Sequence, residues 1–494
     1  MSQHRILSPS QTTESILSRI SKASYNGQLR KNLVIHSINC KEWEAEKEFF
    51  VQNLVELDAE SSDKANFAAT RWYVELSGPE QNSNAPHRHM GHMDIRPISP
   101  TISDAFLPIP KKTNFYVTCQ KIYKSDDFSN PGIRTVPYIT PDQRLSWCAP
   151  ASMWIILSVL SNELGKQHLS LYEIVRNLPN MDGKKAIEVR DFDRLIEKLG
   201  YSHYYYYGKC QQELYDEVGK DFEDGRCKSE CKLKPLYDHI WKENKYKNVM
   251  DWSVLYAYIE SEIPVYLVFR YKDLVNIPGY PIAEHDNEGQ LEDNACHAVV
   301  AIGHTQNESG EIDNFIIHDV SASPFITVPR ELIDTYLLEA IVLLPKDTYH
   351  YNFVRHLLAK VVKNIAQFDN DIHEIVASGK IVYRAYLMRS QRVKFWFADK
   401  SKYHKVITTI FSKADIPKYV WVFEISSPTL KESDHSIGCI IFDASISNKN
   451  PNPILITLPK FMLWYERGER KMKVCDTPIY NSMPLFRSPP NEER

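Results

Sequence analysis

The sequence predicts an α+β protein in which a buried central helix packs on an antiparallel sheet, with further α+β units before and after it. Three observations lead there. Residues 148–164, "CAPASMWIILSVLSNEL", are apolar on every side, which predicts a helix enclosed all round. "HAVVAIG" and "NFIIHDV" are strand-like runs joined by a polar, glycine-containing turn at 304–313, which predicts a hairpin. After "AIVLLPKD" (340–347) the composition shifts, and a fresh helix with its own strands begins. At 494 residues the chain is too long for one ordinary core.

Residues 1–30 are polar and read as a flexible N-terminal tail. An N-terminal α+β unit follows over 31–130. It holds a strand at 31–38, a helix at 42–57, a strand at 70–76, a proline-rich loop or linker at 78–100 and a strand at 114–123. The unit of the central helix runs over 131–345. The C-terminal α+β unit, 346–494, has a helix at 351–368 and strands at 380–388, 419–425 and 436–445. It carries no second reactive centre, so a targeting or regulatory role is expected of it.

Composition bounds the function. Hydrophobic residues make up 43% and charged residues 25%, as in soluble globular proteins. The formal net charge of −4 gives no argument for a nucleic-acid or membrane partner. The first residues lack the apolar core of a signal peptide, and the apolar run after Cys148 stops at Ser161, Asn162 and Glu163. Nine scattered cysteines read as mostly reduced thiols of a cytoplasmic protein.

Cys148 opens the apolar helix. Pro150 suits its first turn, where a missing N–H costs nothing, and Ser146 is a candidate cap. The cysteine thus sits at the positive end of the helix dipole, which favours the thiolate. Taken alone, the stretch fits a small buried thiol equally well. A nucleophile also needs a base, which the fold must bring.

The hairpin supplies one. Folded about its turn with one-for-one pairing, it sets position 297 opposite about position 320, making His297 and Asp319 cross-strand neighbours. A carboxylate there fixes the imidazole tautomer and stabilises its charged form. Alternation along the strands turns His318 and Cys296 to the other face. Gln143, five residues before Cys148, is placed to join the Cys148 N–H in holding an oxyanion.

These residues carry a resemblance. "VPYITPDQRLSWCAPASMWIILSVL" resembles the nucleophile segment of papain-fold cysteine peptidases of the C39-like type, which have a "Q…CGPAS" segment opening a long helix. "LSLYEIVRNLPN" resembles the short helix that follows, and "VRDFDRLIEKLGYSHYYYY" the next helix and strand. "DWSVLYAYIESEIPVYLVFR" resembles the helix before a buried strand. "HAVVAIGH" and "FIIHDVSASPFITVPRELI" resemble the strands bearing the histidine and the acid. The resemblance covers about residues 135–345. It implies a papain-like domain with Cys148 as nucleophile, His297 as base, Asp319 as orienting acid and Gln143 as oxyanion donor. Ala149 stands where the family usually has glycine, and 208–250 is an insertion relative to the compact family domain.

Other constellations are weaker. Cys210, Cys227, Cys231 and His239 lack a second tight pair, and the histidines of "HRHMGHMD" (87–94) read as a loop, so no metal is expected. The basic and aromatic residues of 383–397 fit amphipathic strands better than a nucleic-acid surface. No phosphate-binding glycine loop, HExxH or GxSxG is present, and no cofactor is expected. The expected activity is hydrolysis of a peptide or isopeptide bond in a protein or peptide substrate. Other thiol acyl transfer, of transglutaminase or deamidase type, stays open. So does an inactive papain-fold module that binds a partner protein through its N- or C-terminal unit.

Overall fold

The computed structural model describes residues 9–38, 69–76, 91–95, 102–123, 133–140, 148–164, 168–178, 187, 189–209, 248–281, 296–308, 310–365, 382–398, 403–427, 430, 435–446 and 453–484. Over these the chain is mixed α+β. The expected helix at 42–57 and most of the 208–250 insertion lie outside the described residues.

Helix α1 (Pro9–Tyr25) corrects the expectation of a flexible tail. Its sequence is polar overall, but Ile16, Leu17, Ile20, Ser21, Ser24 and Tyr25 recur at helical spacing and are all buried. One apolar stripe is enough to dock a helix. Strands β1 (Leu29–Ile38), β2 (Ala69–Leu76), β3 (Gly91–Ile95), β4 (Ile102–Pro108), β6 (Lys121–Tyr123) and β7 (Ile133–Tyr138) form an antiparallel sheet in the order β1-β2-β3-β4-β7-β6. β3 falls inside the expected linker at 78–100. Its backbone is held on both sides, and Arg71 grips the buried Asp94 at 2.7 and 2.8 Å. The expected strand at 114–123 is two: β5 (Phe115–Val117) leaves this sheet and pairs with the next.

Helix α2 (Cys148–Leu164) is buried from Ala149 through Ser161, as its apolar circumference requires. A capping box of Ser170 and Glu173 starts α3 (Leu171–Arg176). A 3₁₀ turn (Val189–Phe192) and α4 (Asp193–Lys198) lead into β8 (Tyr201–Gly208). Then come β9 (Val249–Met250), α5 (Trp252–Glu260), β10 (Val265–Arg270), α6 (Tyr271–Val275), β11 (Cys296–Gln306), β12 (Ile312–His318), β13 (Ile326–Pro329), α7 (Arg330–Tyr336) and β14 (Glu339–Pro345). The sheet order is β13-β12-β11-β10-β14-β8-β9, all antiparallel save the short β8–β9 edge. Gly303 on β11 lets β5 cross closely, since a Cβ there would meet the Tyr116 carbonyl oxygen at 2.2 Å.

Beyond β14, α8 (Tyr351–Ile365), β15 (Val382–Arg389), α9 (Ser390–Phe397), α10 (Lys405–Lys413), β16 (Tyr419–Ser426), β17 (His435–Ser436), β18 (Gly438–Asp443), β19 (Pro453–Thr457), β20 (Phe461–Glu466), β21 (Glu469–Val474) and β22 (Met483–Pro484) follow. The main sheet runs β15-β16-β18-β19-β20-β21, and β17 pairs with β22. The basic, aromatic stretch 383–397 is half strand and half helix rather than strand throughout. One apolar cluster joins this sheet to the rest through Ala385, Leu387, Trp421 and Phe423. No helix among the described residues is long and apolar enough to cross a membrane.

Candidate active site

Cys148, half-buried, is the first residue of α2, and His297 is the second residue of β11. Sequence separation is irrelevant here because α2 packs along β11: Ser152 Oγ donates to the Ala298 carbonyl at 3.2 Å. The His297 ring and the Ala298 backbone N–H both act on the Cys148 sulfur and favour its charged form. His297 Nε2 lies 2.8 Å from Asp319 Oδ1, which leaves Nδ1 for the sulfur.

The hairpin register differs slightly from the expected one. Val300 faces His318, and the ladder shifts between Ala301 and Gly303 and again between Thr305 and Gln306. Carried past the strand end, this register sets His297 opposite Ser321. Asp319 stands just beyond β12 and reaches the imidazole diagonally. His318 does take the other face, buried between the rings of Tyr138 and Phe325 at 5.4 and 4.7 Å. Cys296 is exposed where His297 is buried.

The acid is saturated. Its Oδ1 also accepts from the Ser321 and Ala322 N–H groups at 2.8 and 3.2 Å, and its Oδ2 accepts from the Tyr280 hydroxyl at 2.5 Å. Tyr138 Oη donates to the Asp319 carbonyl at 3.0 Å. The edge of the Tyr271 ring meets His297 with centroids 5.2 Å apart.

The charges follow. Burial alone would raise the Cys148 thiol, but the His297 hydrogen bond and charge, with the Ala298 N–H, bring it below its ordinary value. Burial would lower His297, yet the charge and hydrogen bond of Asp319, and then Cys148, hold it well above the usual imidazole range. Burial would raise Asp319. The His297 charge and hydrogen bond, Tyr280 and the Ser321 N–H outweigh it and keep the carboxyl low. Desolvation pushes Tyr280 well above the usual phenol value, so it stays a donor. A thiol made more acidic by an imidazole that a buried carboxylate supports is an arrangement able to attack a carbonyl carbon.

Gln143 and Ser146 lie outside the described residues, as do Cys210, Cys227, Cys231, His239, His87 and His89. His92, the third histidine of the expected loop, is buried in β3 against Phe106 and Tyr73. Among the described residues no group of three or more His, Cys, Asp or Glu could hold a metal ion. Sequence reasoning missed Tyr280, Tyr271 and Tyr138. Only the position of "PGYP" upstream of His297 could have pointed to the first, and a tyrosine in a proline–glycine turn is unremarkable by itself. No protein-family model matches the chain, and no curated protein matches it.

Proposed function

We propose that the chain is a cysteine peptidase that hydrolyses a peptide or isopeptide bond through Cys148, His297 and Asp319. The observation that carries this reading is the His297 ring, which has Asp319 Oδ1 2.8 Å from Nε2 and lowers the Cys148 thiol below its ordinary value. The papain-like, C39-like assignment of residues 131–345 belongs to the same proposal. It is supported by a buried helix that begins at the cysteine and packs on the strand that carries the histidine.

In this mechanism the Cys148 thiolate attacks the carbonyl carbon, and the electron pair moves to the oxygen. That oxyanion lies at the N-terminus of α2, whose first N–H groups have no partner within the helix. Gln143 is the second donor in the proposal. The His297 imidazolium then protonates the leaving amine as the C–N bond breaks, giving a thioester. Neutral His297 takes a proton from water, the water oxygen attacks the acyl carbon, and the sulfur leaves as thiolate. Asp319 stays ionised throughout and holds the ring. The cysteines among the described residues, Cys119, Cys148, Cys296, Cys439 and Cys475, are all free thiols, which fits a reducing, cytoplasmic setting.

The test is a peptide library digested with wild type and with Cys148→Ala, read by mass spectrometry. New termini are expected from wild type only, with both proteins melting within a few degrees of each other. Ammonia release without new termini marks deamidation instead. Equal cleavage by the variant overturns the assignment of Cys148. A Cys148 that neither cleaves nor alkylates faster than a free thiol marks a binding module.

A further inference from the structure

Asp319 opens a short loop, 319–325, that joins β12 to β13. The loop closes on itself where the Asp319 N–H donates to the Ser323 carbonyl at 3.1 Å. It ends at Phe325, whose φ of +54° puts a bulky side chain in the left-handed region. Such a conformation persists only where the surroundings over-determine it. Much of that surrounding comes from the N-terminal unit. Ser24 Oγ lies 3.0 Å from Ser323 Oγ, across 299 positions of sequence, and donates to the Pro324 carbonyl. The next residue, Tyr25, meets the Phe325 ring edge to face at 5.7 Å, and its hydroxyl donates to the Pro108 carbonyl on β4 at 2.8 Å. Phe115 on β5 packs on Phe325 at 6.4 Å. Ser24 and Ser323 are both fully enclosed, so no water replaces these bonds if one hydroxyl is lost.

From this geometry we infer that Ser24 is a positioning residue for the acid of the site: through Ser323 and Pro324 it fixes the loop that presents Asp319 to His297. Helix α1 is then a working part of the site, although it touches none of the reacting atoms. The inference rests on the cysteine-peptidase reading above. The titratable groups that act on Asp319 are His297 on β11, Cys148 on α2, Tyr280 beyond α6 and Tyr138 on β7; Arg19, on α1 with Ser24, acts in turn on Tyr138 and is kept in the Ser24 variant.

The experiment is the rate of Cys148 alkylation by iodoacetamide against pH, on the full chain, by mass spectrometry. Wild type is expected to alkylate with a midpoint below that of a free thiol, about 8.5. Ser24→Ala is expected to move the midpoint up by about one unit, a rate loss near pH 6 of about tenfold. Ser323→Ala removes the hydroxyl pair but leaves the Ser24–Pro324 bond, and is expected to give a smaller shift in the same direction. It also serves if Ser24→Ala does not fold. The double variant is expected to match Ser24→Ala, because that substitution already removes both bonds. In an Asp319→Asn background, Ser24→Ala is expected to change nothing further. The inference is overturned if Ser24→Ala and Ser323→Ala give the wild-type profile, or if they shift it equally without the Asp319 carboxylate. If wild type itself alkylates as a free thiol does, indifferent to His297→Ala, the peptidase reading fails first and separately.

Discussion

The Glu260 carboxylate lies 2.8 Å from the Arg384 guanidinium and, through its other oxygen, 2.8 Å from His304 Nε2. Glu260 ends α5, Arg384 is on β15 of the C-terminal sheet, and His304 is on β11, the strand that carries His297. A buried pair of this kind is expensive to break from one side, because Arg384 keeps its charge with only Glu424 left to balance it. Glu260→Gln is therefore expected to destabilise by about 3–5 kcal/mol. The double variant Glu260→Gln with Arg384→Met is expected to recover part of that loss. Urea unfolding at neutral pH measures both; a Glu260→Gln loss below about 1 kcal/mol would place the pair with ordinary exposed bridges.

Removal of the C-terminal unit tests the same junction on a larger scale. The sequence break near residue 346 suggested a unit with a life of its own. Yet the Tyr351 N–H donates to the Tyr258 hydroxyl at 2.9 Å, the Leu387 N–H donates to Ser261 Oγ at 2.8 Å, and Tyr258 packs on Trp421 with ring centroids 6.0 Å apart. A chain ending near residue 346 bares that apolar face and leaves Glu260 without Arg384. It is expected to lose its cooperative melt and to aggregate. A truncated chain that melts cooperatively and still alkylates at Cys148 would prove the two units separable.

His318 makes the fold acid-labile. Desolvation among the Tyr138 and Phe325 rings lowers it to about 3, far below the usual imidazole value. Its folded value is depressed, so its contribution is complete above the unfolded value near 6.5. It is lost as pH falls from there toward 3, since only the unfolded chain takes up the proton. By pH 5 the loss is about 2 kcal/mol from this residue. His350, lowered by burial to about 4, adds in the same direction. His318→Phe is expected to flatten the fall in stability between pH 6.5 and 4, measured by denaturant midpoints across that range. An unchanged slope would mean that another group takes up the proton.

Much of this fold was legible in the sequence. The enclosed helix at 148–164, the hairpin and the C-terminal strands follow from apolar periodicity, which tertiary packing here reinforces. Helix α1 was not legible, because its polar surface masks a stripe of six buried side chains. Strand β3 was not either, since a histidine, an aspartate and a glycine in five residues look like loop until Arg71 and the Tyr73 and Phe106 rings are placed beside them. For the site, the pairing of His297 with Asp319 came from turn symmetry. The ladder shifts that set the final register did not, because one-for-one pairing from the turn has no place for them. Tyr280 and Ser24 act across distances that no local pattern encodes.

Tyr280 gives the sharpest test of how the carboxylate is held. Its hydroxyl donates to Asp319 Oδ2 at 2.5 Å, while Oδ1 serves His297 and two backbone N–H groups. Tyr280→Phe keeps the ring and removes one donor, leaving a buried carboxylate oxygen short of a partner at a cost of about 1–3 kcal/mol. The anion is then less stabilised, so the Asp319 carboxyl rises from its lowered value. A carboxyl held low in the fold contributes stability that is present above its unfolded value and lost as pH falls through its folded one. In the variant that contribution shrinks, and the acid loss begins at higher pH. Activity should follow the same sign. The acid limb of the pH–rate profile is expected to move up, and kcat is expected to fall by about tenfold with KM little changed, because the hydroxyl touches the acid and not the substrate. A variant whose KM changes while its acid limb stays put would place Tyr280 in substrate binding instead.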